Sequence, residues 1–435
     1  MKFRTDTLII GAGISGCAAA QELQSEGIDY FLLEKNIVPG GLCRSISIGD
    51  AHFDYAGHYL HLARYKSPSQ IPYAKQDDKK WQKVERKSAI YIDGNFIPAP
   101  FQYNLYALPE PIRSHCINSY RKRSSYDGEQ SFKTYLLSGF GKDICEVFLF
   151  PYNTKQLAIS IDMLSIDSIK RFFPYPDEEK IENGYTGNGK LNTLGYNNYF
   201  WYPKNNGIGL LTSGIAKGLT NLQTGCTVTT IDLNRKCVYT SLGEFYFRKL
   251  LSSIPLKNFC EITTNMQLNL LAGKLSHNRV LCLNLLLKSS LPKNIKNYHW
   301  IYIADRQIPC YRIGVYSNIP TKFTPHNRTS LYVEVAYSHI DNPPLLDSII
   351  SNVLSSLEKL GWVHRDDCIT ISANWIECGY VHFTQNFREV KGEIQSLLKE
   401  YNVYLIGRYG QWDYLSMEDS IISGINRAQE SKNGH

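Results

Sequence analysis

The sequence predicts an α/β chain that opens with a Rossmann-like nucleotide-binding domain. An apolar, strand-like run ends at Ile10, and Gly11, Gly13 and Gly16 then form a GxGxxG turn that leads into a helix-like stretch. Glu34 follows Gly16 by eighteen residues, at the end of a second strand-like run. Strand, glycine turn, helix, strand and acid in this order are typical of dinucleotide-binding βαβ units.

Each part of this unit has a physical role. Gly11 permits a tight turn, Gly13 lets the backbone approach a pyrophosphate, and Gly16 lets the helix pack closely on the sheet. The free N–H groups and the dipole of the helix N-terminus favour the negative charge of the pyrophosphate. The acid is spaced to bind a ribose hydroxyl. We therefore predict that the nucleotide contacts Gly11, Gly13, Ile14, Ser15, Gly16, Glu34 and Lys35.

A second glycine turn extends the predicted site towards a flavin. Residues 39–45 read PGGLCRS. This GG-x-x-R-S pattern resembles the second FAD fingerprint of the amine-oxidase and protoporphyrinogen-oxidase clan, in which the glycines and the arginine approach the diphosphate and the isoalloxazine. The resemblance implies FAD, with contacts from Gly41, Leu42 and Arg44. An ordinary glycine turn with a surface arginine is the alternative.

The C-terminal part of the chain is expected to close the same domain. Residues 404–407 read as a short strand that meets a glycine, and a helix-like stretch, IISGINRAQ, follows Met417. The clan resemblance implies cofactor contacts from Val228, Gly407, Arg408, Ser416, Met417 and Ser420. The predicted domains are a discontinuous FAD domain (1–65, 204–262 and 402–435), a helical domain (105–170) and an antiparallel-sheet substrate domain (88–101, 171–203 and 263–401).

Composition argues against several other classes of protein. The 435 residues carry 47 basic and 40 acidic side chains, a net charge of +7, which suits an anionic small molecule and falls short of a nucleic-acid-binding protein. No apolar run is long enough to span a bilayer and no signal peptide is evident, so we expect a cytoplasmic protein without membrane insertion. Eleven cysteines without metal-ligand spacing predict reduced thiols and no metal. The basic run 79–87 is expected to be a solvated face.

From residue 53 onwards the chain resembles the eukaryotic-type UDP-galactopyranose mutases. The resemblance rests on separated segments that follow the family order: FDYAGH (53–58), FIPAPFQ (96–102), PYNTK (151–155), GYN (195–197), WIY (300–302), CYRIGVYSN (310–318), CGY (378–380) and GRYGQWDY (407–414). Each match is short, but the common order and spacing make the combined signal specific. Ala56, Ala99 and Trp201 depart from the family residues glycine, tyrosine and arginine, which leaves the base and the sugar open.

The resemblance implies a site for a nucleotide sugar. The substrate contacts that it implies are Phe101, Gln102, Tyr152, Asn153, Asn197, Trp300, Tyr302, Tyr380 and Tyr414. Arg312 and Arg171 are implied to hold the diphosphate, with Lys170 as a competitor of Arg171, because a guanidinium can donate two parallel hydrogen bonds to phosphate. The segment with Gly57 and His58 is implied to lie over the flavin near N5, where His58 would shape the surroundings of N5. The implied catalytic residues are therefore Arg171, Arg312 and His58.

The resemblance also implies the chemistry. It predicts a pyranose/furanose mutase that converts UDP-galactopyranose, or a related nucleotide hexose, to its furanose for polysaccharide biosynthesis without net redox change. N5 of the reduced flavin would form a covalent adduct with the sugar, and NADPH or NADH is the expected reductant. A flavin oxidase or desaturase of the amine-oxidase clan and a non-catalytic flavin-binding protein are the alternatives. The sequence leaves the oligomeric state open and is compatible with a homo-oligomer.

Overall fold

The computed structural model describes residues 1–49, 51–124, 131–168, 176–187, 198–322 and 324–430. The α-helices in this part of the chain are α1 Ile14–Ser25, α2 Ile112–Arg121, α3 Phe132–Phe140, α4 Lys142–Ile144, α5 Phe150–Leu157, α6 Glu178–Thr186, α7 Gly209–Ala216, α8 Leu256–Glu261, α9 Met266–Gly273, α10 Leu346–Lys359, α11 Phe387–Glu400, α12 Gly407–Gly410 and α13 Met417–Glu430. A helix with the length and apolarity needed to cross a bilayer is not found among the described residues.

The strands belong to two large sheets and two small, two-stranded antiparallel sheets. They are β1 Lys2–Ile10, β2 Tyr30–Leu33, β3 Ser45–Ile48, β4 Ala51–Asp54, β5 Trp81–Glu85, β6 Ser88–Ile92, β7 Asn95–Pro98, β8 Tyr199–Pro203, β9 Leu222–Gln223, β10 Val228–Asp232, β11 Cys237–Thr240, β12 Gly243–Ser252, β13 Ser276–Leu287, β14 Trp300–Ile303, β15 Arg312–Val315, β16 Thr329–Ser338, β17 Cys368–Ile376, β18 Val381–His382 and β19 Val403–Leu405.

The glycine-rich unit belongs to a seven-stranded sheet with the order β10-β11-β12-β1-β2-β9, and β19 pairs with β12. Strand β1 runs parallel to β12 and β2, while β10, β11 and β12 form an antiparallel meander. The strands come from three separated parts of the chain, which the sequence assigned to one domain; the domain boundaries stay predictions. Residues 250–252 form the end of β12, where it pairs with β19.

The second sheet has eight strands in the order β17-β13-β16-β15-β14-β6-β7, with β18 on β13. It is antiparallel except where β14 meets β6. Side chains alternate between the two faces of a strand. On β13, Leu281, Leu283 and Leu285 pack with α10, whereas Val280 and Cys282 belong to the core on the opposite face. The sheet therefore presents one face to a helix and the other to the interior of the molecule.

Helices α2 to α6 form a helical region; α2 to α5 lie within residues 105–170, where the sequence predicts a helical domain, and α6 lies beyond that range. Helix α3 ends at Phe140, and Gly141 has a φ of +76°. The chain then continues through α4 and a π-helical turn, Cys145–Leu149, into α5. A bend at this point brings α5 against β16 of the large sheet.

Two glycines of the first turn differ in what surrounds them. A Cβ added to Gly16 would collide with the carbonyl of Gly11, so this position requires glycine for α1 to pack against the end of β1. A Cβ added to Gly13 would meet no atom within 4 Å, because this residue faces open space. Gly16 is therefore required by the fold, whereas Gly13 leaves room for a ligand.

Five histidines are held in the neutral form. Burial lowers the pKa of their imidazoles to about 4 in His58, His61, His277, His299 and His382. Because histidine in an unfolded chain titrates near pH 6.5, their contribution to stability is complete above pH 6.5 and is lost as the pH falls from there through 4. Asp54 acts in the opposite direction: burial raises its pKa to about 7, so it adds stability as the pH falls below 7.

We predict that the free energy of unfolding falls as the pH is lowered from about 7 to about 5. On acidification each histidine can lower the free energy of unfolding by up to about 1.4 kcal/mol per pH unit, and five histidines outweigh the opposite effect of the Asp54 carboxyl. Thermal unfolding midpoints across this range measure the effect. The His382→Gln variant, whose amide can still donate to the Leu157 carbonyl, should show a shallower dependence. A midpoint that stays constant or rises on acidification would contradict the account.

A pair of alanine variants tests the two glycines. Gly16→Ala should destabilise the protein by about 1–3 kcal/mol, the usual cost of overpacking, because its methyl group collides with backbone. Gly13→Ala should unfold at the wild-type temperature without ligand but bind FAD more weakly, by a similar free energy. Melting curves of the apoprotein and FAD titration provide the two measurements. Equal losses of stability in the two variants would contradict these separate roles of Gly16 and Gly13.

Candidate active site

A cavity of about 1390 Å³ is lined by residues of both large sheets and of the helical region. All predicted cofactor residues line it except Gly16 and Gly407, and so do all predicted substrate and catalytic residues that lie in the described part of the chain. Asn197, Arg171 and Lys170 fall outside the described residues. The structure therefore brings the predicted positions together in one space, although they come from distant parts of the sequence.

The N-terminus of α1 forms one end of this cavity. Gly13 is its N-cap residue, and no side chain caps the first turn. Gly41, with a φ of +54°, lies directly beside Gly13, and Ile14 and Ser15 also line the cavity. Uncapped helical N–H groups next to an open glycine suit an anionic phosphate group. The two glycine turns of the sequence thus form one wall.

Glu34 is more constrained than the sequence indicated. Its carboxylate accepts hydrogen bonds from the backbone N–H of Ala12 (2.9 Å) and of Asn36 (2.9 Å), and from the Asn36 side-chain amide (2.6 Å). It therefore holds the glycine turn in place. A carboxylate has about four lone-pair sites, so it can still accept from a ribose hydroxyl. Lys35 and Val228 line the same end of the cavity.

The C-terminal segment meets the cavity wall at the N-terminal ends of α12 and α13. Gly407 packs on Ser15 of α1 and has no place for a Cβ, which explains why it lies behind the cavity wall. Ser416 caps α13, because the N–H of Asp419 donates to its Oγ (3.1 Å). Met417 and Ser420, on the first turn of α13, line the cavity as predicted.

Arg44 and His58 lie on the wall between the nucleotide end and the sheet. The Arg44 guanidinium lies over the ring of Tyr55, 4.1 Å from its centroid. Nδ1 of His58 donates to the carbonyl of Ala56 (3.2 Å), and burial keeps the pKa of this imidazole near 4. A neutral ring with a fixed tautomer shapes the cavity and does not act as a cation at neutral pH.

Strands β14 and β15 supply the predicted sugar and diphosphate positions. Tyr302 and Arg312 are direct cross-strand partners, which explains their ten-residue spacing in the sequence. Trp300 lies two residues before Tyr302 on the same face, stacked on Tyr59 with ring centroids 4.9 Å apart. Its Nε1 is buried and has no hydrogen-bond partner in the described part of the chain. An unpartnered buried donor is uncommon in a native structure and calls for a partner such as an ordered water or a ligand atom.

Glu334 is a buried residue of the site that the sequence did not reveal. On the neighbouring strand, it accepts hydrogen bonds from Nε (2.8 Å) and Nη2 (2.9 Å) of Arg312. The carboxylate is almost completely buried. A guanidinium has five N–H groups, so three remain for other partners. The guanidinium expected to hold the diphosphate is therefore part of an ion pair, and the strand register that forms this pair cannot be read from the sequence.

The aromatic end of the cavity is formed by the loop before α2 and by α5. Phe101 is 1% exposed and stacks on Phe148 (centroids 5.0 Å apart), which stacks in turn on Tyr152. The hydroxyl of Tyr152 is buried without a partner among the described residues. Burial raises its pKa well above the usual value, so it remains a donor. Asn153 donates from its amide to the Leu149 carbonyl (2.6 Å), and Gln102 also lines this end.

Tyrosines surround Arg408 at the opposite wall. Its guanidinium carbon lies 4.8 Å from the ring centroid of Tyr414 and 5.8 Å from those of Tyr380 and Tyr409. The hydroxyl of Tyr414, expected to donate to a diphosphate, donates instead to the carbonyl of Val381 (2.6 Å). Arg408 forms no ion pair among the described residues, so this wall carries positive charge.

Arg86 is a second cavity residue that sequence reasoning missed. It belongs to the basic run 79–87, which was interpreted as a solvated face, yet it lines the cavity beside His61. Its guanidinium carbon lies 5.6 Å from the ring centroid of Trp300. The described residues offer it no carboxylate partner. The contact with Trp300 identifies Arg86 as a residue of the site, and this contact is visible only in the three-dimensional structure.

These residues fit FAD. An open glycine faces an uncapped helix N-terminus, an acid lies at the end of β2, and an arginine and a neutral histidine follow along the same wall. The remaining space, with its buried unpartnered donors and guanidinium groups, can hold a second, anionic ligand. No group of acidic, histidine and cysteine side chains suited to a metal ion occurs among the described residues.

Comparisons with known proteins agree with this geometry. Residues 9–70 match the profile of the NAD(P)-binding Rossmann-like domain. Over 227 residues the chain is 26% identical to the 1-hydroxycarotenoid 3,4-desaturase of Flavobacterium sp. (strain P99-3), in a match that covers 50% of this chain and only 43% of that protein.

Two solved structures resemble the chain over nearly its full length. Reduced UDP-galactopyranose mutase superposes with a TM-score of 0.90 at 25% identity, covering 98% of this chain and 95% of that one. A protein from Exiguobacterium sp. 255-15 assigned as a protoporphyrinogen oxidase superposes with a TM-score of 0.75 at 15% identity, covering 98% of each chain. The chain thus has a UDP-galactopyranose mutase-like fold with a Rossmann-like domain at residues 9–70, and it resembles that mutase more closely than it resembles the other two proteins.

Proposed function

We propose that the protein is an FAD-dependent nucleotide-sugar mutase that interconverts the pyranose and furanose forms of UDP-galactose or a related nucleotide hexose. One observation carries this proposal: the residues that line the cavity include Arg312 together with Trp300 and Tyr152, whose Nε1 and hydroxyl are buried donors without a partner among the described residues. Such donors are costly unless a ligand accepts from them. A nucleoside diphosphate supplies acceptors and negative charge together.

The charges in the cavity favour an anionic substrate. Arg86 and Arg408 line it without an ion-pair partner among the described residues, and Arg312 has three N–H groups beyond those used by Glu334. A diphosphate bridge carries about two negative charges, which buried guanidinium groups can neutralise with two parallel hydrogen bonds. An amine or a hydrocarbon substrate would not use these groups.

The aromatic residues would bind the nucleoside. Phe101, Phe148 and Tyr152 form a stacked series of rings that offers a flat surface to a base. Gln102 and Asn153, beside this surface, offer amide groups to the base edge or ribose. Ala99 leaves the choice of base open, since it stands where the similar mutases carry tyrosine.

Reduced FAD, when bound, would supply the electron pair that attacks the anomeric carbon of the sugar. The chain's own residues would do the rest. Arg312 would stabilise the departing diphosphate, on which charge increases in the transition state. Trp300, Tyr302 and Tyr59 would exclude water around the sugar, and the neutral His58 would fix the shape of the wall. Arg171, outside the described residues, keeps its proposed role as a second guanidinium for the diphosphate.

A flavin oxidase or desaturase is the second candidate. The similarity to a carotenoid desaturase and to a protein assigned as a protoporphyrinogen oxidase favours it. It shares the nucleotide-binding wall but does not require a guanidinium and buried donors in the substrate space. Oxygen consumption with an amine or a porphyrinogen, without product from nucleotide sugars, would support it over the mutase.

The redox state tests the mutase directly. Protein reduced with dithionite should convert UDP-galactopyranose, or another member of a panel of nucleotide sugars, to its furanose, and oxidised protein should not. Because the proposed reaction involves no net redox change, a single reduction should support many turnovers. Product analysis by liquid chromatography measures this. No furanose product from any nucleotide sugar after reduction would contradict the proposal.

A conservative substitution tests the role of Arg312. Arg312→Lys keeps a positive charge but loses the planar group that bonds to Glu334 and to phosphate. The activation barrier that determines kcat should therefore rise by about 2.7–4 kcal/mol, as for a lost oxyanion donor. Arg279→Lys is the matched control, because Arg279 also pairs with a glutamate, Glu377, but does not line the cavity. Similar rates in the two variants would exclude a role for Arg312 in the reaction.

A further inference from the structure

The C-terminal end of α5 lies against the segment that carries Tyr380. Helix α5 contributes Tyr152 and Asn153 to the aromatic end of the cavity and ends at Leu157. The last carbonyl groups of a helix have no partner within the helix and need donors from elsewhere. Here the donors come from two side chains of the large sheet, Asn278 and His382.

Asn278 joins the two walls directly. Its side-chain amide donates to the Gln156 carbonyl (2.7 Å), and its side-chain oxygen accepts from the backbone N–H of Tyr380 (2.6 Å). Its backbone is bonded to the same segment, since its N–H donates to the Tyr380 carbonyl (3.0 Å) and its carbonyl accepts from Gly379 (2.9 Å). Asn278 is fully buried, so water does not compete for these bonds.

His382 forms a second link beside it. Nε2 of His382 is 2.8 Å from the Leu157 carbonyl and must donate to it, because a carbonyl only accepts. Nδ1 then accepts from the hydroxyl of Ser276 (2.8 Å), which fixes the tautomer. Two consecutive carbonyls at the end of α5 are thus bound by side chains that belong to, or pair with, the Tyr380 segment.

We propose that Asn278 is a positioning residue that sets the location of Tyr380 relative to α5. This inference rests on the proposed function, because it takes Tyr380 as a ligand of the diphosphate and α5 as a ligand of the nucleoside. Tyr380 and α5 then move as one unit, so a nucleotide that binds Tyr152 and Asn153 finds the Tyr380 phenol already at the distance that the diphosphate requires. Pre-organisation of this kind lowers the entropy cost of binding.

A double-mutant cycle on the oxidised holoenzyme tests this role. Tyr380→Phe is introduced into the wild type, into Asn278→Ala and into Asn284→Ala, and the dissociation constants of UDP, dTDP and GDP are measured by calorimetry. Asn284 is the matched control: it lies on the same strand, is equally buried, and donates to the Asp54 backbone away from the cavity. Flavin absorbance and melting curves verify that each variant is folded.

In the wild type and in Asn284→Ala, Tyr380→Phe should weaken the tightest nucleotide about tenfold, the effect of one lost hydrogen bond. Asn278→Ala alone should weaken binding by a similar factor, and Tyr380→Phe should add nothing in that background. If Asn278→Ala fails to fold, Asn278→Asp replaces it: this variant keeps the acceptor for Tyr380 but loses the donor to α5, so Tyr380→Phe should cost less than in the wild type.

The same cycle contains the results that would overturn the inference. If Tyr380→Phe weakens nucleotide binding by the same factor in all backgrounds, Asn278 does not position Tyr380. The proposed function would still stand in that case, because the nucleotide binds. Wild-type protein that binds none of the three nucleoside diphosphates would overturn the proposed function and this role together.

Discussion

The Arg312–Glu334 ion pair holds a guanidinium in the wall of a cavity that is otherwise rich in aromatic rings. Removing a charge from water is expensive, and an unpaired buried arginine would destabilise the fold. The bidentate carboxylate compensates for this cost and fixes the plane of the guanidinium. Because the two residues are cross-strand partners, the register of β15 against β16 determines where the positive charge lies. The proposed chemistry depends on this arrangement.

Sequence reasoning was most successful where function requires a local pattern. The glycine turn, the helix after it and the acid at the end of β2 are encoded within a few dozen residues, and each has a backbone reason for its identity. The structure confirms the Rossmann-like α/β fold. The ten-residue spacing of Tyr302 and Arg312 was informative for the same reason, since a hairpin-like pair of strands converts sequence spacing into a direct cross-strand contact.

Long-range partners were not predictable. Glu334 lies on another strand from Arg312, and only the register of the sheet pairs them. Arg86 was assigned to a solvated run because its aromatic neighbour, Trp300, is more than two hundred residues away. The hydroxyl of Tyr414 was expected to contact the substrate, but it donates to the backbone carbonyl of Val381, a contact that no local sequence pattern predicts. Such contacts are decided by tertiary packing.

A crystal structure of the oxidised protein with FAD and a nucleoside diphosphate would show whether Arg312 holds the diphosphate. We expect diphosphate oxygens to lie within hydrogen-bond distance of the Arg312 N–H groups that Glu334 does not use. We also expect the Tyr152 hydroxyl and Trp300 Nε1, which have no partner in the described part of the chain, to find acceptors on the ligand or on water that the ligand orders. A diphosphate bound elsewhere, with Arg312 contacting only Glu334, would contradict it.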